Sequence, residues 1–128
     1  MIKEITSDLA PKPYGHYSHA VSADKLIFTA TLLPIEPGTL TKPLLFQDQL
    51  NQLFDNLQHI LVASGSSLNS IVRINFYVTD LQNWDELDKA FSARMKNRRP
   101  ARGVIEVSRL RHDSLVAVDA VAIRETNE

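Results

Sequence analysis

The sequence predicts an α+β fold in which a mixed β-sheet carries two helices on a single face. Two stretches have the apolar spacing of amphipathic helices and five shorter ones have the composition of strands, in the order ββ-α-β-α-ββ. Because few strands accompany two helices, the economical arrangement packs both helices on one side of one sheet. The other sheet face then stays apolar and uncovered, which predicts oligomerisation.

The first two strands are predicted as a hairpin between Tyr17 and Thr31. Leu26-Ile27-Phe28 lies among β-branched Thr and Val residues, a composition that favours strands. Ala23-Asp24-Lys25 supplies the turn, since Asp tolerates the backbone conformations that tight turns require. Short Pro- and Gly-rich stretches at 11–15 and 34–43 flank this hairpin as loops.

A long amphipathic helix is predicted after Pro43. Thr41-Lys42-Pro43 can open it, because proline lacks the N–H that stays unsatisfied in a first helical turn. Gly65 stands where a C-terminal cap belongs. The apolar residues at i, i+3, i+4 and i+7 spacing are Phe46, Leu50, Leu53, Phe54, Leu57, Ile60 and Leu61.

A strand and a second helix follow. Between Ile71 and Thr79 apolar and polar residues alternate, which predicts a strand with one face in the core. Asn83 precedes Trp84, and Glu86 completes the pattern of a capping box. The helix is expected to end before the next proline, at position 100, because proline disfavours helix at the residue before it.

The last two predicted strands are Gly103 to Val107 and Leu115 to Ile123. The final one is almost continuous in apolar residues, a pattern typical of a strand buried on both sides. Residues 1–128 are expected to form one domain, since 128 residues is close to the common domain size.

Composition excludes several classes of function. The 14 Lys and Arg residues against 15 Asp and Glu give a net charge of -1, so no general attraction to nucleic acid or to an anionic membrane is expected. With no cysteine, the chain has no disulfide, thiolate nucleophile or Cys-based zinc site. Its start has no apolar run of signal-peptide length, which predicts a cytoplasmic protein.

Two charged residues are candidates for chemistry. Asp119 lies within the last predicted strand, where a carboxylate needs a partner; it is either a structural carboxylate answered by an arginine or part of an active site. Arg102 follows a rigid Pro-Ala pair and enters a strand, and its planar fork suits a carboxylate or phosphate. Arg98 and Arg99 are instead expected to be solvated residues at a helix end.

The segment Gly15-His-Tyr-Ser-His19 permits two further interpretations. It offers acid–base groups, or an H-x-x-H pair, but two histidines leave a zinc site incomplete, so no metal is predicted. The chain contains no Gly-rich phosphate loop, no G-x-S-x-G elbow and no H-E-x-x-H helix. The usual nucleotide hydrolase, serine hydrolase and metalloprotease assignments therefore have no support.

Several segments together resemble the Rid, or YjgF-like, family over almost the whole chain. They are Gly15-His-Tyr-Ser-His-Ala20, Leu26-Ile-Phe28, Gly65-Ser-Ser-Leu68, Phe76-Tyr-Val-Thr-Asp80, Arg99-Pro-Ala-Arg102 and Leu115-Val-Ala-Val-Asp-Ala-Val-Ala122. The resemblance implies a chorismate-mutase-like fold and a homotrimer with ligand clefts between subunits. It also implies hydrolysis of 2-imino acids or their enamine tautomers to 2-keto acids and ammonia, without a cofactor.

The resemblance also assigns roles to individual residues. It implies that Arg102 holds the substrate carboxylate, that Tyr17 places the imine or the water, and that Asp119 orients the water. Ala30, Thr31 and Gly103 take neighbouring positions in substrate binding. These positions also hold departures: Ala30-Thr31 replaces the family's usual Ser-Gly, Gly103 its Ser or Thr, and Asp119 its longer Glu.

His19 and His16 also differ from the family's usual Gln and Pro. Because a displacement of about 1 Å can impair catalysis, the departures leave an alternative, a non-catalytic trimer that binds small carboxylates. A third hypothesis is RNA binding or cleavage. It rests on a basic cluster formed by Arg94, Lys96, Arg98, Arg99 and Arg102. The near-neutral net charge and the lack of stacking aromatic residues nearby oppose it.

Overall fold

Six strands form one mixed sheet in the computed structural model, which describes residues 1–125. They are β1 (Ile2–Ile5), β2 (Ala20–Ala23), β3 (Leu26–Thr29), β4 (Ile71–Val78), β5 (Ala101–Glu106) and β6 (Val116–Ile123). The spatial order is β1-β2-β3-β6-β4-β5, in which β4 and β5 are parallel and the other neighbours antiparallel.

Two helices, α1 (Phe46–Ala63) and α2 (Trp84–Met95), pack on the same face of this sheet. Phe76 of β4 joins them, with ring centroids 6.0 Å from Phe54 of α1 and 5.6 Å from Phe91 of α2. Both contacts are edge-to-face, the arrangement that aromatic quadrupoles favour. The predicted α+β class, with two helices on one face, is confirmed.

The register of the central strands decides which side chains face the helices. Ile74 lies opposite Ala120 and Arg102, whereas the next residue, Asn75, lies opposite Asp119 and Gly103. Ile74 and Ala120 are buried in the core, so their row is the one that faces the helices. Since successive side chains point to opposite faces, the row of Asn75 lies on the uncovered face.

The uncovered face exposes several large apolar residues. Four large apolar residues of β3, β5 and β6 on this face remain between 40% and 49% exposed. They are Leu26, Phe28, Ile105 and Ile123. The predicted uncovered face is therefore present in the described part of the chain, and its burial against other copies stays a prediction.

Three local features differ from the sequence predictions. β1 was not predicted, because Ile2-Lys-Glu-Ile5 has no apolar alternation and becomes a strand by pairing with β2 at the sheet edge. α1 begins at Phe46, and Pro43 stays outside it with its carbonyl accepting from Gln49 Nε2 at 2.9 Å. The side chain of Asn83, at the predicted start of α2, makes no capping hydrogen bond. The side chain of Asp80, three residues earlier, accepts from the backbone N–H of Gln82.

The prediction for the last strand holds only in its first half. In β6, Val116, Ala117 and Val118 are fully buried, whereas Asp119 and Val121 are partly exposed. The difference arises because their side chains point to the face that no helix covers. No helix within residues 1–125 has the length and hydropathy needed to cross a membrane.

Candidate functional site

Asp119 is the centre of a polar cluster on the uncovered face of the sheet. Its Oδ2 accepts from Tyr77 Oη at 2.8 Å and from Thr31 Oγ1 at 3.1 Å, and its Oδ1 accepts from Asn75 Nδ2 at 2.9 Å. The partner that a carboxylate in this strand needs is thus a set of neutral donors, and not the arginine that the structural alternative anticipated.

Strand pairing places these donors. Asn75 and Tyr77 are alternate residues of β4, so both point to the same face, and Asn75 lies directly opposite Asp119. Thr31 arrives from the other side, because the next residue, Leu32, forms an isolated antiparallel bridge with Val118 of β6. Two separate segments therefore bring their polar groups to one carboxylate on a third.

Tyr77 responds electrostatically to this carboxylate. Its hydrogen bond to Asp119 raises the pKa of the phenol above its ordinary value, and burial and the charge of Asp119 raise it further. Arg73 acts in the opposite direction through its positive charge. Because the phenol keeps its proton at neutral pH, Tyr77 acts as a hydrogen-bond donor to Asp119.

Gly103 leaves room beside this cluster. A Cβ atom at this position would lie 3.1 Å from Asn75 Oδ1 and 3.4 Å from Arg73 Nη2. Asn75 Oδ1 is buried and has no hydrogen-bond partner among the described residues. An unpaired buried acceptor costs about 1–3 kcal/mol, so a bound water or ligand that donates here would be favoured.

Arg102 lies on the other face of the sheet, among residues of α2. Its Nη1 donates to Asp88 Oδ1 at 2.7 Å, and its guanidinium carbon lies 5.3 Å from the ring centroid of Trp84 and 5.1 Å from that of Phe91. Both rings attract the cation through their π-faces. The guanidinium is therefore held in place, but within one chain it does not share a sheet face with Asp119.

Tyr17 and Thr31 line one cleft, together with Lys12, Arg111 and His112. The hydroxyl of Tyr17 accepts from the backbone N–H of Tyr14 at 3.1 Å, which holds the exposed phenol in position. Because Thr31 lines this cleft and also donates to Asp119, Tyr17 lies next to the Asp119 cluster.

Ala30 takes a structural position. Its side chain packs against the core, and its backbone N–H donates to the carbonyl of His19 at 2.8 Å. Ala30 also lines, with Tyr17 and Phe28, a shallow groove on the uncovered face.

The structure brings three of the predicted site residues together around Asn75: Thr31, Asp119 and Gly103. It places Tyr17 and Ala30 beside them. Arg102 lies apart, on the other face of the sheet.

His19 has a structural environment. The ring is 3% exposed, its Nδ1 accepts from the backbone N–H of Ser7 at 3.0 Å, and its Nε2 lies 2.6 Å from the carbonyl oxygen of Pro11. Since that carbonyl only accepts, the proton resides on Nε2. The ring therefore joins residues 7–11 to the hairpin. Residues 1–125 contain no group of three His, Cys, Asp or Glu side chains arranged to hold a metal ion.

The basic cluster is largely engaged within the chain. Arg94 pairs with Asp55 at 3.5 Å and lies over the ring of Phe54. Arg98 is exposed, as predicted for a residue at a helix end, and its Nη2 also donates to the backbone carbonyl of Ile71. With Arg102 paired to Asp88, three of the five cations contact other residues of the chain.

Sequence reasoning missed Asn75, Tyr77 and Asp88 as members of the site. The alternation of apolar and polar residues in β4 indicated that the side chains of Asn75 and Tyr77 point away from the core. It did not indicate that both contact Asp119 of β6. Asp88 had no signal beyond its place on an exposed helix surface. Strand register places Asn75 and Tyr77, and the packing of α2 against β5 places Asp88.

Comparison with known proteins identifies clear relatives. The family model described as endoribonuclease L-PSP matches residues 7–124. A RutC family protein of Pyrococcus horikoshii is 35% identical over 98% of this chain and 100% of its own length. TdcF of Escherichia coli, whose name assigns it provisionally to the reactive intermediate deaminases, is 31% identical over 97% of this chain and 98% of its own.

Solved structures agree with these matches. The crystal structure of Escherichia coli TdcF with bound serine has a TM-score of 0.88 and 30% identity, covering 96% of this chain and 99% of that one. RidA from an Antarctic Psychrobacter has a TM-score of 0.91 and 30% identity, covering 94% of this chain and 98% of its own. Both likenesses extend across nearly the entire sheet and both helices.

Proposed function

This chain belongs to the Rid, or YjgF-like, family that the endoribonuclease L-PSP model describes, and from that premise we propose that it hydrolyses reactive 2-imino acids to 2-keto acids and ammonia. The observation that carries the proposal is the Arg102 guanidinium, which lies over two aromatic rings and has a side chain only 18% exposed. The substrate supplies a carboxylate for it. The relative TdcF, with bound serine, gives further support.

Arg102 would anchor the substrate. A guanidinium presents several N–H donors in one plane and forms charge-assisted hydrogen bonds with a carboxylate, each contributing about 1.5–3 kcal/mol. Because the Trp84 and Phe91 rings already restrict the side chain, less conformational entropy is lost when the ligand binds. The anchored carboxylate fixes the position of the adjacent C2 atom, where the reaction occurs.

Asp119 would present the water. A carboxylate has about four acceptor positions, of which Tyr77, Thr31 and Asn75 use three, and one remains for a water molecule. Water adds to C2 of the protonated imine, and Asp119 takes the proton that the water loses. Asp119 then returns a proton to the carbinolamine nitrogen and takes the proton of the hydroxyl, the C–N bond breaks with its electron pair leaving on nitrogen, and the products are ammonia and the 2-keto acid.

The reaction would take place between subunits. Arg102 and Asp119 lie on opposite faces of one sheet, so a single small imino acid cannot contact both within one chain. A homotrimer that buries the uncovered apolar face would bring Arg102 of one copy towards Tyr17, Thr31 and Asp119 of the next. On this proposal the enzyme acts in the cytoplasm and uses no cofactor.

The test generates 2-iminobutanoate with a pyridoxal-phosphate dehydratase in the presence of a nucleophilic trap for the free imine. We expect the protein to raise the share of 2-oxobutanoate formed before trapping. Arg102→Ala should lower this rate about tenfold to a hundredfold, the loss of one or two charged hydrogen bonds. Arg99→Ala, at an exposed position of the same segment, is the matched control.

Equal keto-acid formation with and without the protein would reject imine hydrolysis for this substrate. One observation favours a second candidate, a carboxylate-binding protein without turnover: three of the four acceptor positions of Asp119 are already occupied. Such a protein would bind 2-oxobutanoate in calorimetry, lose that affinity in Arg102→Ala, and leave imine hydrolysis at its uncatalysed rate. RNA binding has less support, because three of the five residues of the basic cluster are engaged in internal contacts.

A further inference from the structure

Asp88 shares the guanidinium that the proposed function assigns to the substrate. Asp88 Oδ1 lies 2.7 Å from Arg102 Nη1, and its side chain is 55% exposed while that of Arg102 is 18% exposed. The carboxylate therefore lies nearer to solvent than the cation. A ligand that reaches Arg102 from solvent meets the negative charge of Asp88 beside it.

The arrangement follows from one stripe of α2. Trp84, Asp88 and Phe91 are spaced four and three residues apart, so they lie on the same side of the helix. Arg102 from the edge strand β5 contacts all three. Within residues 1–125 no hydrogen bond engages Asp88 Oδ2, so this oxygen can accept from a ligand.

We propose that Asp88 makes the Arg102 subsite selective for zwitterions, compounds in which a carboxylate neighbours a protonated nitrogen. The inference rests on the proposed function, since Arg102 must be the carboxylate anchor. The Arg102–Asp88 pair has no net charge, so a simple keto-acid anion is attracted by one partner and repelled by the other. A zwitterion offers each partner the opposite charge.

This selectivity separates substrate from product. A protonated 2-imino acid is a zwitterion, with its positive nitrogen on the atom next to the carboxylate. The 2-keto acid formed from it has lost that nitrogen and keeps only the negative charge. Asp88 therefore favours binding of the substrate and release of the product.

The experiment compares two stable ligands with the same carbon skeleton. Calorimetry with the full chain measures the Kd of L-2-aminobutanoate, a zwitterion, and of 2-oxobutanoate, an anion. We expect the wild type to bind the amino acid more tightly. Asp88→Asn keeps the shape and removes the charge, and should shift the ratio of the two Kd values about fivefold towards 2-oxobutanoate, an effect expected of a half-exposed ion pair.

Glu86→Gln is the matched control, because it removes one charge from an exposed position on a different side of α2 and should leave the ratio unchanged. An unchanged ratio in Asp88→Asn, with imine hydrolysis intact, would overturn this inference and leave the proposed function standing. Equal weakening of both ligands in Asp88→Asn would also overturn it, since Asp88 would then only position Arg102. Binding that Arg102→Ala does not reduce would reject both.

Discussion

The two faces of the sheet come from the same strands but have opposite chemistry. On the helix side Ile74, Phe76 and Val118 are fully buried among the residues of α1 and α2. On the other side Tyr77 and Asp119 form part of a polar cluster flanked by exposed apolar residues. Neighbouring positions of one strand therefore belong separately to the core and to the candidate site.

This division predicts that the candidate site can change without loss of the fold. Thr31, Gly103 and Asp119 occupy the uncovered side or its margin, where they contact each other or the cleft and contribute little to the core. Substitutions on the helix side instead change closely packed contacts. The following predictions test whether the two faces differ in this way.

The largest effect is expected on the helix side. Phe76→Ala should lower the free energy of unfolding by about 3–5 kcal/mol, because Phe76 contacts aromatic residues of both helices and leaves a cavity when truncated. Phe28→Ala, on the uncovered face, should cost less than about 1 kcal/mol in the dissociated chain. Urea unfolding measures both, and equal losses would contradict the comparison.

A smaller effect, on turnover, is expected at Asp119. Asp119→Asn should reduce imine hydrolysis about a hundredfold, because the amide cannot take a proton from water. Stability should change little in comparison with Phe76→Ala. Asp48→Asn, at an exposed position of α1, is the control, and unchanged turnover in Asp119→Asn would remove this residue from the mechanism.

Tyr77→Phe should lower stability by about 1 kcal/mol at neutral pH, since one hydrogen bond to Asp119 is lost. Because the pKa of Tyr77 is raised in the folded chain, its contribution is complete below the ordinary phenol pKa of about 10. The contribution is lost as the pH rises through the folded pKa. Unfolding measured between about pH 8 and 11 should therefore show a steeper decline for wild type than for Tyr77→Phe.

Tyr14→Phe is the matched control for this pH series. Tyr14 is 48% exposed, and substitution there should leave the alkaline decline of the wild type in place. If Tyr77→Phe declined as steeply as the wild type, the coupling between Tyr77 and Asp119 would be rejected.

An effect on stability as small as that of Tyr77→Phe is expected at Gly103. Gly103→Ala places a methyl group 3.1 Å from Asn75 Oδ1, and the bond of Asn75 to Asp119 limits its movement away. We expect a loss of about 1 kcal/mol, at the low end of overpacking effects. A stabilised variant, measured by the same unfolding experiment, would show that the cluster is looser than its hydrogen bonds indicate.

The helices and the central strands were predictable because their apolar periodicity is local. The alternation in Ile71–Val78 and the helical spacing in Phe46–Ala63 each reflect one buried face, and the structure contains both elements. The strand Ile2–Ile5 was not predictable, because as an edge strand it buries only Ile5 and depends on pairing with Ala20–Ala23. Its backbone partner, and not its own pattern, makes it a strand.

The candidate site was predictable only in its charged members. Arg102 and Asp119 were singled out from local context and from the family resemblance, and their roles remain predictions. Their partners, Asp88 and Tyr77, lie 14 and 42 residues away along the chain. No local pattern links residues at such separations.

The sequence by itself determined which positions of the helices and central strands face a core, and which segments other than Ile2–Ile5 form helices or strands. The tertiary structure decided the register that places Tyr77 and Asn75 beside Asp119 and puts Arg102 on the opposite face. The physical reason is that periodicity depends on contacts within a segment, whereas register depends on pairing between distant strands. A shift of one residue in that pairing would move Asp119 to the helix side and dissolve the cluster.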